Sequence, residues 1–265
     1  MNSRRRRNEI LEEVRRNGSV LVENLVDHYQ LSVETIRRDL RILHEKGLVR
    51  RNYGGAERRE KTTWEMPYTQ RINYNLEQKE AIAREAIHLL EDGDSVFLDG
   101  NTTGLAVSRL IPAHKELVIV TNSLMVAFNL LQKNSRSQVF MAGGEVDQSG
   151  LTSGHRLHQE LKQYRFDKAL FSCAGVMQQG LYFSKVEPQS VAQRLSDQAR
   201  QLILLADSSK MNQSAFLFGM EVKRISVLIT DDGISLPFLE KLREMIQKVI
   251  VVKMEEQAPV PSKLT

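Results

Sequence analysis

Apolar residues recur at Val33, Ile36, Leu40 and Leu43, steps of three, four and three that stack them on one face of a helix. Arg37, Arg38 and Arg41 project from the other side, and Ser32 stands just before the run, where its hydroxyl can cap the helix. Upstream, Arg4 to Arg16 reads as a helix with Ile10, Leu11 and Val14 inward, and Ser19 to Leu21 as a short extended piece. Val22 to His28 is a second short helix, with Leu25 and Val26 inward, joined to the basic helix through Tyr29 to Ser32. That spacing is the one a helix-turn-helix uses. Downstream, Gly47 ends the basic helix, Leu48 and Val49 open an extended run, and Arg50, Arg51, Asn52 and Tyr53 lead to Gly54 and Gly55, as in a basic wing.

The pattern breaks between Glu57 and Gln78, where a polar stretch holding Pro67 reads as a linker. Trp64, Met66 and Tyr68 are too apolar for a free tether and predict that part of it docks. From Lys79 onward helix and strand alternate. A helix is expected from Ala81 to Leu90. Short apolar strands are expected at Val96 to Leu98, Leu117 to Val120, Val139 to Ala142, Ala169 to Ser172, Leu202 to Ala206, Ser226 to Ile229 and Val249 to Val252. Strands of this kind with helices between them indicate a mainly parallel sheet covered on both faces. The expected organisation is an α/β protein: a winged helix-turn-helix over 1–57, a linker over 58–78, a larger α/β domain over 79–253, and a disordered tail over 254–265.

Charge sharpens this division. The chain of 265 residues carries 37 Lys+Arg against 33 Asp+Glu, a net charge of +4. Residues 1–60 hold 14 Lys+Arg and 10 Asp+Glu, so the whole excess lies in the small module and the remaining 23 of each sign cancel. A polyphosphate partner would draw on that distribution. The four arginines from Arg4 are read as phosphate contacts or a solvated helix start. The single Cys173 lies in an apolar run, where a buried structural thiol is expected. The six histidines show no ligand spacing, so no metal and no cofactor is expected. No apolar run approaches the ~20 residues of a membrane helix, and a cytoplasmic protein is expected.

The second helix of a helix-turn-helix sets its first turns in the major groove, where Arg reads guanine and Thr touches a thymine methyl. Thr35, Arg37 and Arg38 are the candidates for base contact. Arg41, Arg50 and Arg51 suit phosphates, and Ser32, Asn52 and Tyr53 complete the candidate interface.

In open α/β sheets ligands bind beyond the carboxyl ends of the strands. The first strand there ends in Asp99, Gly100, Asn101, Thr102 and Thr103 before a helix, whose free N–H groups suit an anion. The second ends at Asn122, the third at Gly143 and Gly144, the fourth at Gly175, and the fifth at Asp207 to Lys210. Together these groups suit a phosphorylated, hydroxyl-rich ligand.

The run SVETIRRDLRILHEKGLVRRNYGGA resembles the N-terminal signature of the DeoR family of bacterial sugar-metabolism regulators. LDGNTT, VTNS, AGG, SGH, FDKALFSCAGV and LLADSSK resemble its effector domain, itself similar to ribose-5-phosphate isomerase. The resemblance implies a phosphate loop on Gly100, Asn101, Thr102 and Thr103 and sugar contacts on Asp99, Asn122, Gly144 and Lys210. Arg71 and Lys79 match basic positions of the family, as ligand contacts or as surface pairs. Where the family carries a Glu and then Lys-Arg, this chain has Gln189 and Gln193, with Glu187 as the substitute and Arg194 kept.

A glutamine cannot act as the carboxylate base of an isomerase. The expected function is thus a repressor of a carbohydrate-utilisation operon, without catalytic residues, binding double-stranded operator DNA and a phosphorylated sugar as a homo-oligomer (dimer or tetramer). The linker would carry the coupling. The alternatives are a sugar-phosphate isomerase or aminosugar-phosphate deaminase with an appended DNA module, and a nonspecific architectural DNA protein.

Overall fold

The computed structural model describes residues 2–46, 48–51, 54–58, 62–133 and 136–254. The first module runs α1 (Ser3–Asn17), β1 (Ser19–Leu21), α2 (Val22–Tyr29), α3 (Val33–Glu45), β2 (Val49–Arg51) and β3 (Gly55–Arg58). β3 pairs antiparallel with β1 on one side and β2 on the other, so the hairpin folds back as a wing. Ile10, Leu11, Val14, Leu25, Ile36, Leu40 and Leu43 form its core. Ser32 caps α3 as its position predicts, accepting from the Thr35 N–H at 3.2 Å.

Two expectations fail in this module. Val33, expected inward, is 43% exposed, because the buried arc of α3 is centred on Ile36, Leu40, Leu43 and also Asp39. Asp39 explains the second: it accepts from Arg6 Nε at 2.6 Å and Arg7 Nη1 at 3.0 Å, so these arginines tie α1 to α3 instead of standing in solvent. Gly47, Asn52 and Tyr53 lie outside the described residues, as does the tail beyond Met254.

The stretch expected as a linker is ordered over most of its length. It contains α4 (Tyr68–Arg71), and α5 (Leu76–His88) begins well before the expected Ala81. Asn75 turns the chain into α5 from the left-handed region, φ 49°, a conformation asparagine tolerates better than most residues. The first turn of α5 looked like linker because its inward residue is Lys79, a charged side chain that is almost wholly buried.

The larger domain continues β4 (Ser95–Leu98), α6 (Thr102–Leu110), β5 (Val118–Thr121), α7 (Leu124–Gln132), β6 (Gln138–Met141), β7 (Glu145–Val146), β8 (Thr152–Ser153), α8 (His155–Leu161) and β9 (Phe166–Phe171). It closes with β10 (Gly175–Met177), β11 (Gly180–Phe183), α9 (Val186–Gln198), β12 (Ala199–Leu205), β13 (Leu217–Glu221), β14 (Val227–Asp231), α10 (Leu236–Arg243) and β15 (Lys248–Val252). Seven strands form one parallel sheet, in the order β15-β14-β12-β9-β4-β5-β6. Each corresponds to a strand expected from the sequence. Alternate residues of one strand feed opposite faces: Val96 and Leu98 pack with Ile82, Leu105 and Val126 under α5 to α7, while Phe97 packs with Leu157, Leu195 and Leu242 under α8 to α10.

Strand order fixes where a site can form. β5 and β6 lie on one side of β4, and the chain then returns to place β9, β12, β14 and β15 on the other. The switch point falls between β4 and β9, where connections leave in opposite directions and open a crevice at the strands' carboxyl ends.

Candidate nucleic-acid interface and ligand cavity

α3 turns one face outward. Arg37, Arg38 and Arg41 are all exposed, and among the described residues neither Arg37 nor Arg38 takes part in an ion pair. Arg41 lies 4.0 Å from Glu34, two turns back on the same helix. In the wing Arg50 and Arg51 are exposed, and Arg50 pairs with Glu57 on the facing strand. Ser32 and Thr35 share a hydrogen bond at 2.8 Å between their hydroxyls, which consumes part of the capacity Thr35 would bring to a base. The structure thus brings Ser32, Thr35, Arg37, Arg38, Arg41, Arg50 and Arg51 to one module; Asn52 and Tyr53 lie outside the described residues.

At the switch point the structure forms a cavity of about 180 Å³. Its floor comes from three strand ends: Asn101 and Thr102 after β4, Cys173 and Ala174 after β9, and Asp207, Ser209 and Lys210 after β12. Lys210 Nζ donates to Ser172 Oγ at 2.6 Å. Asp207 is buried, which would raise its pKa, yet the charges of Lys210 and Lys79 and hydrogen bonds from Ser209 and Asn75 outweigh this and hold it below the usual carboxylate range. Beside them Asp99 is pushed up to about 6 by burial, against hydrogen bonds from Asn101 that favour its charged form. Burial likewise pushes the Cys173 thiol up to about 12, which leaves it protonated and unreactive near neutrality.

The opposite wall is made by other parts of the chain. Thr62, Trp64, Glu65, Met66, Arg71 and Tyr74 line it, joined by Val14 of α1 and Leu48 before β2. Arg71 pairs with Glu65 and lies over the Tyr68 ring, 5.7 Å from its centroid. The Tyr68 hydroxyl donates to the Gly100 carbonyl at 2.9 Å, Asn75 Nδ2 donates to Asp207 Oδ1 at 3.2 Å, and Phe216 N–H donates to the Thr62 carbonyl at 3.1 Å. Toward the first module, Met66, Trp64 and Tyr74 pack on its core, Tyr74 donates to Glu12, and Arg4 Nη2 donates to the Asn73 carbonyl at 3.1 Å. Lys79 donates to the Arg71 and Tyr74 carbonyls and so fixes the turn between α4 and α5. The docking that Trp64, Met66 and Tyr68 predict is therefore two-sided. Glu65, Tyr74 and Asn75 were missed, since nothing in a polar stretch marks which residues face inward.

Of the residues expected to contact ligand, Asn101, Thr102 and Lys210 line the cavity and Asp99 sits behind Asn101, which donates to it. Gly100 serves a close packing: a Cβ there would lie 2.3 Å from Leu151 Cδ2 and 2.5 Å from Ser123 Cβ. Thr103 is fully buried and does not line the cavity. Asn122, Gly144 and Glu187 lie apart from it. The first two follow β5 and β6, on the far side of the switch point. Asn122 Oδ1 accepts from the Gly100 N–H at 3.0 Å, and Gly144, at φ 146°, brings its backbone against Ser153. Glu187 accepts from the Gly154 N–H at 3.0 Å and pairs with His158 at 3.1 Å.

Gln189 and Gln193 have a defined task. Their amides donate to the carbonyls of Phe218 and Gly219 in β13, at 3.1 Å and 3.0 Å. An ionised glutamate has no proton to donate there, so these positions tie α9 to the small β10-β11-β13 sheet.

The comparisons with known proteins cover both modules. The profile described as "DeoR-like helix-turn-helix domain" matches residues 6–62, and that described as "DeoR C terminal sensor domain" matches residues 74–232. The transcriptional repressor AccR of Agrobacterium fabrum is 30% identical, over 93% of this chain and 96% of its own. A lactose phosphotransferase system repressor of Staphylococcus epidermidis is 33% identical, over 94% of this chain and 100% of its own. A glycerol-3-phosphate regulon repressor of Escherichia coli is 32% identical, over 87% and 92%. Among solved structures, a ribose 5-phosphate isomerase A from Methanocaldococcus jannaschii is 16% identical over 52% of this chain and 55% of that one, with a TM-score of 0.38.

Proposed function

The chain belongs to the DeoR family, and on that premise we propose a sequence-specific repressor of a carbohydrate-utilisation operon, controlled by a phosphorylated sugar in the switch-point cavity. Arg37 and Arg38 read bases in the major groove, while Arg41, Arg50 and Arg51 hold phosphates. In the cavity, the N–H groups opening α6 and the ammonium groups of Lys210 and Lys79 take the phosphate. Asp207 accepts from a sugar hydroxyl, and Asp99, behind Asn101, holds that residue's amide at the cavity floor. No catalytic step is part of this reading.

The observation that carries it is that the cavity is walled on one side by strand ends and on the other by the linker and the winged module. A ligand that enters competes for Asp207 and Lys79, the groups that hold Asn75 and the carbonyls of Arg71 and Tyr74. It therefore binds the two arrangements of the module with different affinity, as any such switch requires. Two copies act together, since a palindromic operator presents two half-sites. The uncharged α7, whose Leu124, Met125, Phe128 and Leu131 face outward, supplies a self-complementary contact.

The test is fluorescence anisotropy of the purified chain on its own operon's upstream DNA, at fixed salt, against phosphorylated and free sugars including glycerol 3-phosphate and hexose 6-phosphates. One phosphorylated sugar should shift specific binding by about fivefold or more. Specific binding that no sugar moves would leave the DNA face standing and remove the cavity assignment.

A further inference from the structure

The exposed residues of α3 are charged or polar with one exception. Val33, Glu34, Arg37, Arg38, Arg41, His44 and Glu45 are exposed, and Val33 alone among them is apolar. It occupies the first position of the helix, next to its cap Ser32, and lies one turn before Arg37 on the same flank. The core has no use for it: Ile36, Leu40 and Leu43 are almost wholly buried on the inward arc, and Val33 falls outside that arc. Thr35, the other first-turn residue with a methyl group, is only partly exposed and shares its hydroxyl with Ser32 at 2.8 Å.

An outward β-branched side chain at the leading end of a helix that enters the major groove meets base edges there, and the apolar feature those edges offer is the C5-methyl group of thymine. We infer that Val33 is a specificity-determining residue of this chain, reading a thymine methyl beside the base that Arg37 contacts. The thymine reading thus passes from Thr35 to Val33. The inference rests on the DNA-binding reading above and adds to it one apolar contact that sets sequence preference without adding charge.

Uracil is thymine without that methyl, so the contact can be deleted from either side. The chain's own upstream DNA is prepared with each thymine in turn replaced by uracil, and anisotropy is measured for the wild type and for Val33→Ser. The wild type should lose about fourfold in affinity at one position of each half-site, the weight of one methyl group removed from water. Val33→Ser should bind the all-thymine DNA correspondingly less well and show no loss at that position. Its salt dependence should be unchanged, because no phosphate contact is removed. Since Val33 is exposed, the variant should melt with the wild type. A wild type indifferent to every uracil, or a Val33→Ser variant that keeps the wild-type loss at the sensitive position, overturns the inference. A wild type with no preference for its own upstream DNA overturns instead the DNA-binding reading on which it stands.

Discussion

The side-chain amide of Asn75 donates to the carboxylate of Asp207 at 3.2 Å, joining the end of the linker to the strand end that forms the cavity floor. Asn75 holds a left-handed backbone, φ 49°, at this contact. Asn75→Gly keeps that conformation available and deletes only the amide. It should bind a phosphorylated sugar at least as tightly as the wild type, because Asp207 no longer has a competitor. The effect of that sugar on DNA affinity should fall severalfold. Separate titrations of ligand and of DNA check both; an unchanged ratio of DNA affinities would remove the contact from the coupling.

Tyr74 carries the other half of the same connection, donating to Glu12 on α1. Tyr74→Phe should leave ligand affinity and the melting profile nearly unchanged while weakening the response of DNA binding to ligand. Combined with Asn75→Gly it should have little further effect, the non-additivity expected of residues in one network.

Asp39 has no role in reading DNA, yet its loss should abolish DNA binding. It is buried against Arg6 and Arg7, and removing one partner of a buried ion pair costs about 3 kcal/mol or more. Asp39→Ala should unfold the winged module well before the α/β domain, giving two transitions in a melt followed by circular dichroism.

Asp99 gives a pH signature. Its carboxyl is raised by burial from 3.8 to about 6, so between those values the folded chain holds a proton that the unfolded chain releases. Stability contributed in this way is present at low pH and is lost as pH rises through about 4 to 6, by at most about 3 kcal/mol. Asp99→Asn should flatten that part of the stability profile measured by urea unfolding.

The outward stripe of α7 leads to a prediction on assembly. Phe128→Glu with Leu131→Glu places two charges among residues that are 55% and 67% exposed. The chain should stay folded, sediment at lower mass and bind a two-half-site operator far more weakly than the wild type.

The seven strands of the sheet were legible because fully buried parallel strands are short apolar runs, and Val96 to Leu98 or Leu202 to Ala206 has little else it can be. The recognition helix was legible from period and cap together. Lys79 and Asp39 were not, because a buried charge is read from sequence as a surface residue until its partner is known. The cavity was legible only in part. Strand ends announce themselves by Asp, Asn, Ser and Gly, but which of them meet depends on strand order, and that order puts Asn122 and Gly144, after β5 and β6, outside the lining of the cavity between β4 and β9. Gln189 and Gln193 look like missing carboxylates in the sequence; in the fold they are donors to β13.

Val14 and Leu48, core neighbours of the winged module, also form part of the cavity wall. Heads and sensors of this architecture are therefore not freely interchangeable. A hybrid joined at the wing would carry another protein's side chains into the pocket, and its affinity for the ligand proposed there should change along with its operator. Retargeting such a regulator to a new promoter calls for grafting the outer surface of α3 alone, leaving its inner surface, α1 and the residues before the wing as they are.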